Sequence, residues 1–171
     1  MEEKNNTSSS LETTVNGGSQ ANKTGRTLEL FIKRLLSDNG YLEFWNHKKQ
    51  LFSNRHNVGG KQYAEQVPCG MSIYETERKC DFLIMNQEKF PEGLIIECKW
   101  QQASGSVDEK YPFTVLNIFK IGVPTIILLD GGGYKPKAME WLKEQANTNR
   151  ALIGVHNMAE FQALVNKGFL G

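Results

Sequence analysis

Asp81, Glu97 and Lys99 are the residues in this sequence whose chemical types and spacing could support catalysis. Asp81 stands directly before the apolar run 82–85, and Glu97 and Lys99 come at the end of the apolar run 94–96. Side chains alternate between the two faces of a β-strand, so Glu97 and Lys99 point to the same side. A carboxylate and an ammonium group at the end of an apolar strand are costly to bury unless other groups balance their charges.

The stretch 78–101 predicts a β-hairpin that would bring these charged groups together. A polar segment, 86–93, contains a proline and a glycine and separates the two apolar runs as a turn. In an antiparallel hairpin, Asp81 would lie on the strand next to the one that carries Glu97 and Lys99. Two carboxylates that converge beside an ammonium group predict a divalent-metal site with a cation at its edge.

Length and composition limit the classes of protein that this chain can represent. Its 171 residues are enough for one domain with a substantial core, and a formal charge of +1 gives no overall attraction to nucleic acid or to anionic membranes. No apolar run approaches the roughly 20 residues that span a bilayer, and the N-terminus lacks the apolar stretch of a signal peptide. The three cysteines, Cys69, Cys80 and Cys98, are typical of reduced thiols. We therefore expect a soluble, cytoplasmic protein with no membrane partner.

Hydrophobic periodicity predicts an α/β fold in which helices flank a central mixed sheet. Before the central hairpin, the pattern predicts a disordered tail over 1–24, a helix over 27–37, a second short helix within the aromatic and basic segment 41–52, and a strand over 61–67 that ends in a turn at 68–70. After the hairpin, it predicts helices over 107–121, 135–145 and 158–166, which alternate with strands over 124–130 and 151–155. The strand–helix–strand steps after the hairpin predict parallel pairing.

Charged residues outside the hairpin could extend the site. Glu29 lies in the first turn of helix 27–37, where it is either an ordinary carboxylate favoured near a helix N-terminus or a third acidic group of the metal site. Basic and aromatic residues interleave before and at the start of the hairpin, where they could follow a phosphate backbone and stack on bases or could form an ordinary solvated face. These residues are Arg55, Lys61, Tyr63, Tyr74 and Arg78.

Asp81, followed one hairpin later by Glu97-Cys98-Lys99, resembles the acidic motif of the PD-(D/E)XK nuclease superfamily. That superfamily includes most type II restriction enzymes, several resolvases and some homing endonucleases. Its core order, α-β-β-β-α-β, resembles the order predicted here over roughly residues 26–130. The resemblance implies a restriction-endonuclease-like domain over 25–171, with an extra strand and helix at its C-terminal end. One departure is Cys80, which stands where the family motif has proline.

The resemblance also implies roles for individual residues. Asp81, Glu97 and the main-chain carbonyl of Cys98 would bind Mg²⁺, with Mn²⁺ as an alternative, while Lys99 would contact the attacking water and the scissile phosphate. The acid of the first helix is often functional in this superfamily, and a glutamine often stands two residues after the lysine. The candidates in these positions are Glu29 and Gln101, and Lys110, at the start of helix 107–121, would orient the substrate.

The favoured interpretation is a site-specific, metal-dependent DNA endonuclease of the restriction or homing type. A small domain usually needs a second copy to cut both strands, so we expect a homodimer or a higher homo-oligomer. One alternative is a structure-selective enzyme that resembles Holliday-junction resolvases, although that class normally has a stronger basic bias. Two further alternatives are a catalytically silent DNA-binding module and a structural domain in which Glu97 and Lys99 form a simple ion pair.

Overall fold

A computed structural model describes residues 17–46, 51–52, 60–105, 107–148 and 151–171. The helices are α1 (Gly17–Asp38), α2 (Tyr111–Ile121), which follows a short 3₁₀ helix at Asp108–Lys110, α3 (Pro136–Thr148) and α4 (Met158–Asn166). The strands are β1 (Leu42–Asn46), β2 (Leu51–Phe52), β3 (Gln62–Met71), β4 (Glu77–Asn86), β5 (Phe90–Trp100), β6 (Thr125–Asp130) and β7 (Leu152–His156). No helix in these ranges is long and apolar enough to cross a membrane.

All seven strands belong to one mixed sheet in the order β2-β1-β3-β4-β5-β6-β7. Strands β3, β4 and β5 pair antiparallel, whereas β5, β6 and β7 pair parallel through the crossover helices α2 and α3. The predicted α/β class, the mixed sheet and the additional strand and helix after β6 are therefore confirmed.

Side-chain alternation in the central strands divides the core into two layers. In β6, Ile126 and Leu128 pack on the side of α1 and α4, while Ile127 and Leu129 pack on the side of α2 and α3. The same alternation continues in β5, where Ile96 is fully buried among the residues of α1 and α4. Glu97 and Lys99 consequently point to the α2 side of the sheet.

The segment 41–52 differs from its prediction as a helix. It supplies β1, which runs parallel to β3, and β2, which pairs antiparallel to β1. Aromatic residues favour strands, and the open edge of β3 offers hydrogen bonds that a helix could not use. Tyr41, which is 3% exposed, fixes the start of the segment because its hydroxyl donates to the Leu170 carbonyl oxygen at 2.8 Å.

The first helix begins earlier than predicted, and the β3–β4 turn comes later. Helix α1 starts at Gly17, within the predicted tail, because polar helical residues give no hydrophobic period that could reveal them. The turn predicted at 68–70 is a bulge inside β3: the pairing shifts between Pro68 and Gly70, and Gly70 adopts a φ of +131°. The actual turn lies at 72–76, where the Ser72 main-chain nitrogen donates to the Thr76 carbonyl oxygen at 2.8 Å.

Candidate active site

The site lies where the paired part of β4 and β5 ends. The ladder includes Leu83 paired with Ile95 and ends at Phe82, which pairs with Ile96. At the preceding residue of β4, Asp81, a side chain makes the contact with β5 in place of the main chain. The Asp81 Oδ2 accepts a hydrogen bond of 2.7 Å from the main-chain nitrogen of Cys98. The predicted hairpin thus brings Asp81 directly against the strand that carries the other candidate groups.

Three oxygens from the predicted metal ligands converge on one cation, which is the Lys99 ammonium group. Its Nζ lies 2.8 Å from Glu97 Oε2 and 3.8 Å from Asp81 Oδ2. It also donates to the Cys98 carbonyl oxygen at 3.4 Å. The Glu97 side chain is 6% exposed, and those of Asp81 and Lys99 are 23% and 31% exposed, so the site opens to solvent on the side of the aspartate and the lysine.

This donor set suits a hard divalent ion. Carboxylate and carbonyl oxygens are the ligands that Mg²⁺ prefers, and Mg²⁺ usually takes only one or two carboxylates while water and phosphate oxygens complete its shell. Within the described ranges no group of three or more His, Cys, Asp or Glu side chains has a metal-binding arrangement. The fit therefore rests on two carboxylates, one main-chain carbonyl and their common orientation towards a positive charge.

The charge of Lys99 is stabilised by its neighbours. Burial lowers the pKa of its ammonium group, but the nearby charges of Glu97 and Asp81 outweigh this effect, and the pKa is raised above its usual value. Lys99 is therefore protonated at neutral pH. In this form it donates hydrogen bonds and can stabilise negative charge.

Glu29 lies near the site on the α1 side of the sheet. Burial raises the pKa of the Cys98 thiol well above its ordinary value, and the negative charges of Asp81, Glu97 and Glu29 add to this rise. The thiol of Cys98 packs against the core layer of α1 and α4. Helix α1 thus brings Glu29 within electrostatic range of β5, but across the described residues its carboxylate makes no hydrogen bond or ion pair with the other candidate groups.

Arg78, predicted as a substrate-binding residue, is part of the same charge cluster. Its Nη2 lies 3.5 Å from Glu97 Oε1, and its side chain is 19% exposed. Its Nε is buried and has no hydrogen-bond partner among the described residues. Glu97 is therefore held between two cationic side chains, Lys99 on one oxygen and Arg78 on the other.

Gln101 has a different environment from the one that its predicted catalytic role requires. The residue is 2% exposed, and its side chain faces a buried polar cluster instead of the carboxylates. Its Nε2 donates to Asp108 Oδ1 at 2.9 Å, and its Oε1 accepts from the Tyr111 hydroxyl at 2.6 Å. A β-carbon added at Gly133 would lie 2.3 Å from the main chain of Gln102, so the loop after β6 also packs closely here. Gln101 thus ties the end of β5 to the beginning of α2.

Replacing Gln101 with alanine is expected to lower the free energy of unfolding by about 2 kcal/mol, because two buried polar partners, Asp108 and Tyr111, lose their hydrogen bonds. Urea unfolding monitored by circular dichroism measures this change. The exposed neighbour Gln102 provides the control, and Gln102→Ala should unfold at the urea concentration of the wild type. Equal midpoints for the two variants would show that the cluster contributes nothing to stability.

The structure describes two of the three remaining predicted residues, Lys110 and Lys61. Lys110 is exposed at the end of the 3₁₀ helix, directly before α2. Lys61 precedes β3 at the end away from the turn, where it donates to the Asn39 carbonyl oxygen at 3.1 Å and to that of Gly171. These contacts leave Lys61 out of the candidate site. Arg55 lies outside the described residues.

Gln66 is a site residue that the sequence interpretation missed. The β3–β4 register pairs Glu65 with Phe82 and Val67 with Cys80, which places Gln66 opposite Asp81. Its Nε2 donates to Asp81 Oδ1 at 2.8 Å. Counting back from the turn at 72–76, where Met71 pairs with Glu77, would place Val67 opposite Asp81. The bulge between Pro68 and Gly70 shifts the pairing by one residue, so Gln66 takes that place.

The protein has a mixed sheet between α1 and α2, and two acids and a lysine lie where the central antiparallel strands diverge. This combination defines the restriction-endonuclease-like class of fold. The chain belongs to the PD-(D/E)XK nuclease superfamily, since a family model described as a PD-(D/E)XK nuclease superfamily domain matches residues 20–169. The resemblance inferred from Asp81, Glu97 and Lys99 is thereby confirmed at the level of the family. No curated protein and no solved structure matches the chain significantly.

Proposed function

We propose that this protein is a Mg²⁺-dependent endodeoxyribonuclease that hydrolyses phosphodiester bonds at the Asp81–Glu97–Lys99 site. The observation that carries the proposal is the convergence of the Glu97 and Asp81 carboxylates and the Cys98 carbonyl on the Lys99 ammonium group, at 2.8, 3.8 and 3.4 Å. Such a cluster can hold a cation beside a second positive charge, which is the arrangement that an attack on a phosphate anion requires.

Asp81, Glu97 and the main-chain carbonyl of Cys98 would hold the metal ion. Bound there, a divalent cation supplies charge that offsets the repulsion between an anionic nucleophile and the phosphate, and it lowers the pKa of a coordinated water. The two carboxylates come from adjacent strands of one sheet, and the Cys98 nitrogen fixes Asp81 at 2.7 Å. Rigid placement of this kind matters because a displacement of about 1 Å can cost about 10²-fold in rate.

Lys99 would act on the reacting phosphate through its positive charge. As a protonated ammonium group it would donate hydrogen bonds to the attacking water and to a non-bridging phosphate oxygen, and it would stabilise the charge that develops in the transition state. Its side chain is 31% exposed, so a phosphate that approaches from the solvent could reach it. Coordination of Glu97 to a metal would replace part of its present contact with Lys99 and free donors for the substrate.

Other residues around the site would contribute to substrate binding. The Arg78 side chain lies beside Glu97 and is 19% exposed, and Lys110 is exposed ahead of α2, so both could contact phosphates on either side of the scissile bond. Glu29, on the α1 side of the sheet, would act through its negative charge, by holding the water of a second metal ion. Gln101 would act indirectly, by fixing the segment between β5 and α2.

We infer that cleavage is site-specific and requires two copies of the chain. The formal charge of +1 supplies little sequence-independent attraction to DNA, so tight binding would depend on base contacts. One such domain carries a single Asp81–Glu97–Lys99 cluster, and a symmetric dimer would present one cluster to each strand.

Incubation with supercoiled plasmid in Mg²⁺, in Mn²⁺ and in EDTA tests the proposal. We expect nicked and linear products with either metal and intact plasmid in EDTA. Discrete fragments from a long linear DNA would support site specificity, whereas cutting of four-way junctions alone would indicate a structure-selective enzyme. DNA that is retarded in a gel but uncut under all conditions would show that the protein is a DNA-binding module and not a nuclease.

A further inference from the structure

Gln66 adopts a backbone conformation that glutamine rarely takes. Its φ is +52°, in the left-handed region, although it lies in the middle of β3 between residues that pair regularly with β4. Glycine or asparagine would adopt this conformation at lower cost. A strained residue at a functional site indicates that its side chain has a role which a less strained residue could not fill.

The role is visible in the contacts of Asp81. Gln66 Nε2 donates to Oδ1 at 2.8 Å, and the Cys98 main-chain nitrogen donates to Oδ2 at 2.7 Å. The carboxylate is thus held at both oxygens by donors from the two neighbouring strands, which prevents its rotation. Each oxygen keeps a lone pair that can coordinate a metal ion, because a carboxylate oxygen accepts more than one interaction.

We propose that Gln66 is a positioning residue that orients Asp81 for metal binding. This inference rests on the proposed nuclease function and deepens it. An amide suits the role because it is a neutral donor: it fixes the carboxylate without adding a positive charge that would compete with the metal ion. The strained backbone and the hydrogen bond to Asp81 occur at the same residue, which links the strain to the contact.

Gln66→Gly separates this role from a contribution to folding. Glycine relieves the backbone strain and deletes the amide, so the melting temperature should stay the same or rise while metal binding weakens. We expect the Kd for Mn²⁺, measured on the protein alone by electron paramagnetic resonance, to rise about 10–100-fold, as for other residues that support metal ligands. The Mg²⁺ concentration for half-maximal cleavage should rise in the same proportion.

Glu75→Gly is the matched control. Glu75 also has a positive φ, of +59°, and lies in the turn of the same hairpin, where its carboxylate pairs with Lys120 and not with the site. This variant should retain the Mn²⁺ affinity and the cleavage rate of the wild type. Gln66→Asn provides a second test, since asparagine tolerates the left-handed region but its amide is one methylene shorter and should not reach Asp81.

The outcomes distinguish this inference from the function on which it rests. Wild-type Mn²⁺ affinity in both Gln66→Gly and Gln66→Asn would overturn the positioning role while leaving the nuclease proposal intact. A wild-type protein that neither binds Mn²⁺ nor cleaves DNA would instead overturn the proposed function. If Gln66→Gly fails to fold, Gln66→Asn decides the question by the same two measurements.

Discussion

Lys99→Ala is expected to reduce the rate of Mg²⁺-dependent plasmid cleavage by about 10³-fold. The substitution removes a preorganised hydrogen-bond donor that would stabilise the negative charge of the transition state, and the loss of one such donor has an effect of this size. Lys99 places a positive charge against both carboxylates, at 2.8 Å from Glu97 and 3.8 Å from Asp81. DNA binding in EDTA should weaken only slightly, because a single positive charge is lost. Single-turnover cleavage and gel retardation measure the two effects.

Lys79→Ala is the control for Lys99→Ala. Lys79 is an exposed lysine of the same hairpin and should be dispensable for cleavage. Among the described residues, removing Lys99 leaves the Glu97 carboxylate with only Arg78 as a cationic partner, so circular dichroism must first establish that the variant is folded. Wild-type cleavage by a folded Lys99→Ala variant would exclude Lys99 from the reaction.

Asp81→Asn should abolish cleavage by removing half of the negative charge that the two carboxylates offer a metal ion. The loss of a metal that contributes several kcal/mol of transition-state stabilisation corresponds to about 10³-fold or more in rate. Asparagine also places an amide donor where Asp81 accepts hydrogen bonds from Gln66 and from the Cys98 nitrogen. The loss of cleavage is measured as the fraction of plasmid that remains supercoiled as the Mg²⁺ concentration is raised.

DNA binding separates the two active-site variants. Asp81→Asn removes a negative charge, so it should bind DNA in EDTA as tightly as the wild type or more tightly, whereas Lys99→Ala should bind slightly less tightly. Asp38→Asn, at an exposed aspartate whose partner Arg34 lies 3.8 Å away on the surface, should change neither property. Cleavage by Asp81→Asn at the wild-type rate would contradict the assigned metal site.

The elements that were predicted well are those whose apolar runs are continuous or strictly periodic. Strand β6 is almost entirely buried, and its uninterrupted apolar sequence fixed its place within one residue. Helix α4 begins and ends where its pattern predicts, since Asn157 caps it by accepting from the Glu160 main-chain nitrogen. The central hairpin is predicted because charged residues stand before one such run and after the next, at positions that an antiparallel pair brings together.

The elements that were missed depend on contacts between distant segments. Strand β1 exists because β3 offers it a parallel partner, and no local pattern in 41–52 reveals that partner. The β3–β4 turn was misplaced because Pro68 and Gly70 are typical of turns, whereas here they flank a bulge. That error concealed Gln66, since the residue opposite Asp81 is known only when the register is known.

Gln101 shows a different limit of sequence-based interpretation. Its position two residues after Lys99 follows directly from the sequence, but this spacing cannot show that Asp108 and Tyr111 fold back to meet its side chain. A glutamine two residues after the lysine is typical of the family, but the groups that this glutamine contacts depend on the path of the chain after β5. The same position can therefore support a site without facing the substrate.

The hydrogen bond between Gln101 and Asp108 also has a consequence for how such a domain could accept a longer loop. It joins the two ends of a surface loop in which residues 102–105 are exposed. Because the ends are already held together, doubling the length of the loop would cost only about 0.6 kcal/mol of chain entropy. Insertions between Ser104 and Gly105 could thus evolve, or be engineered, while the hairpin that carries the acids keeps its geometry.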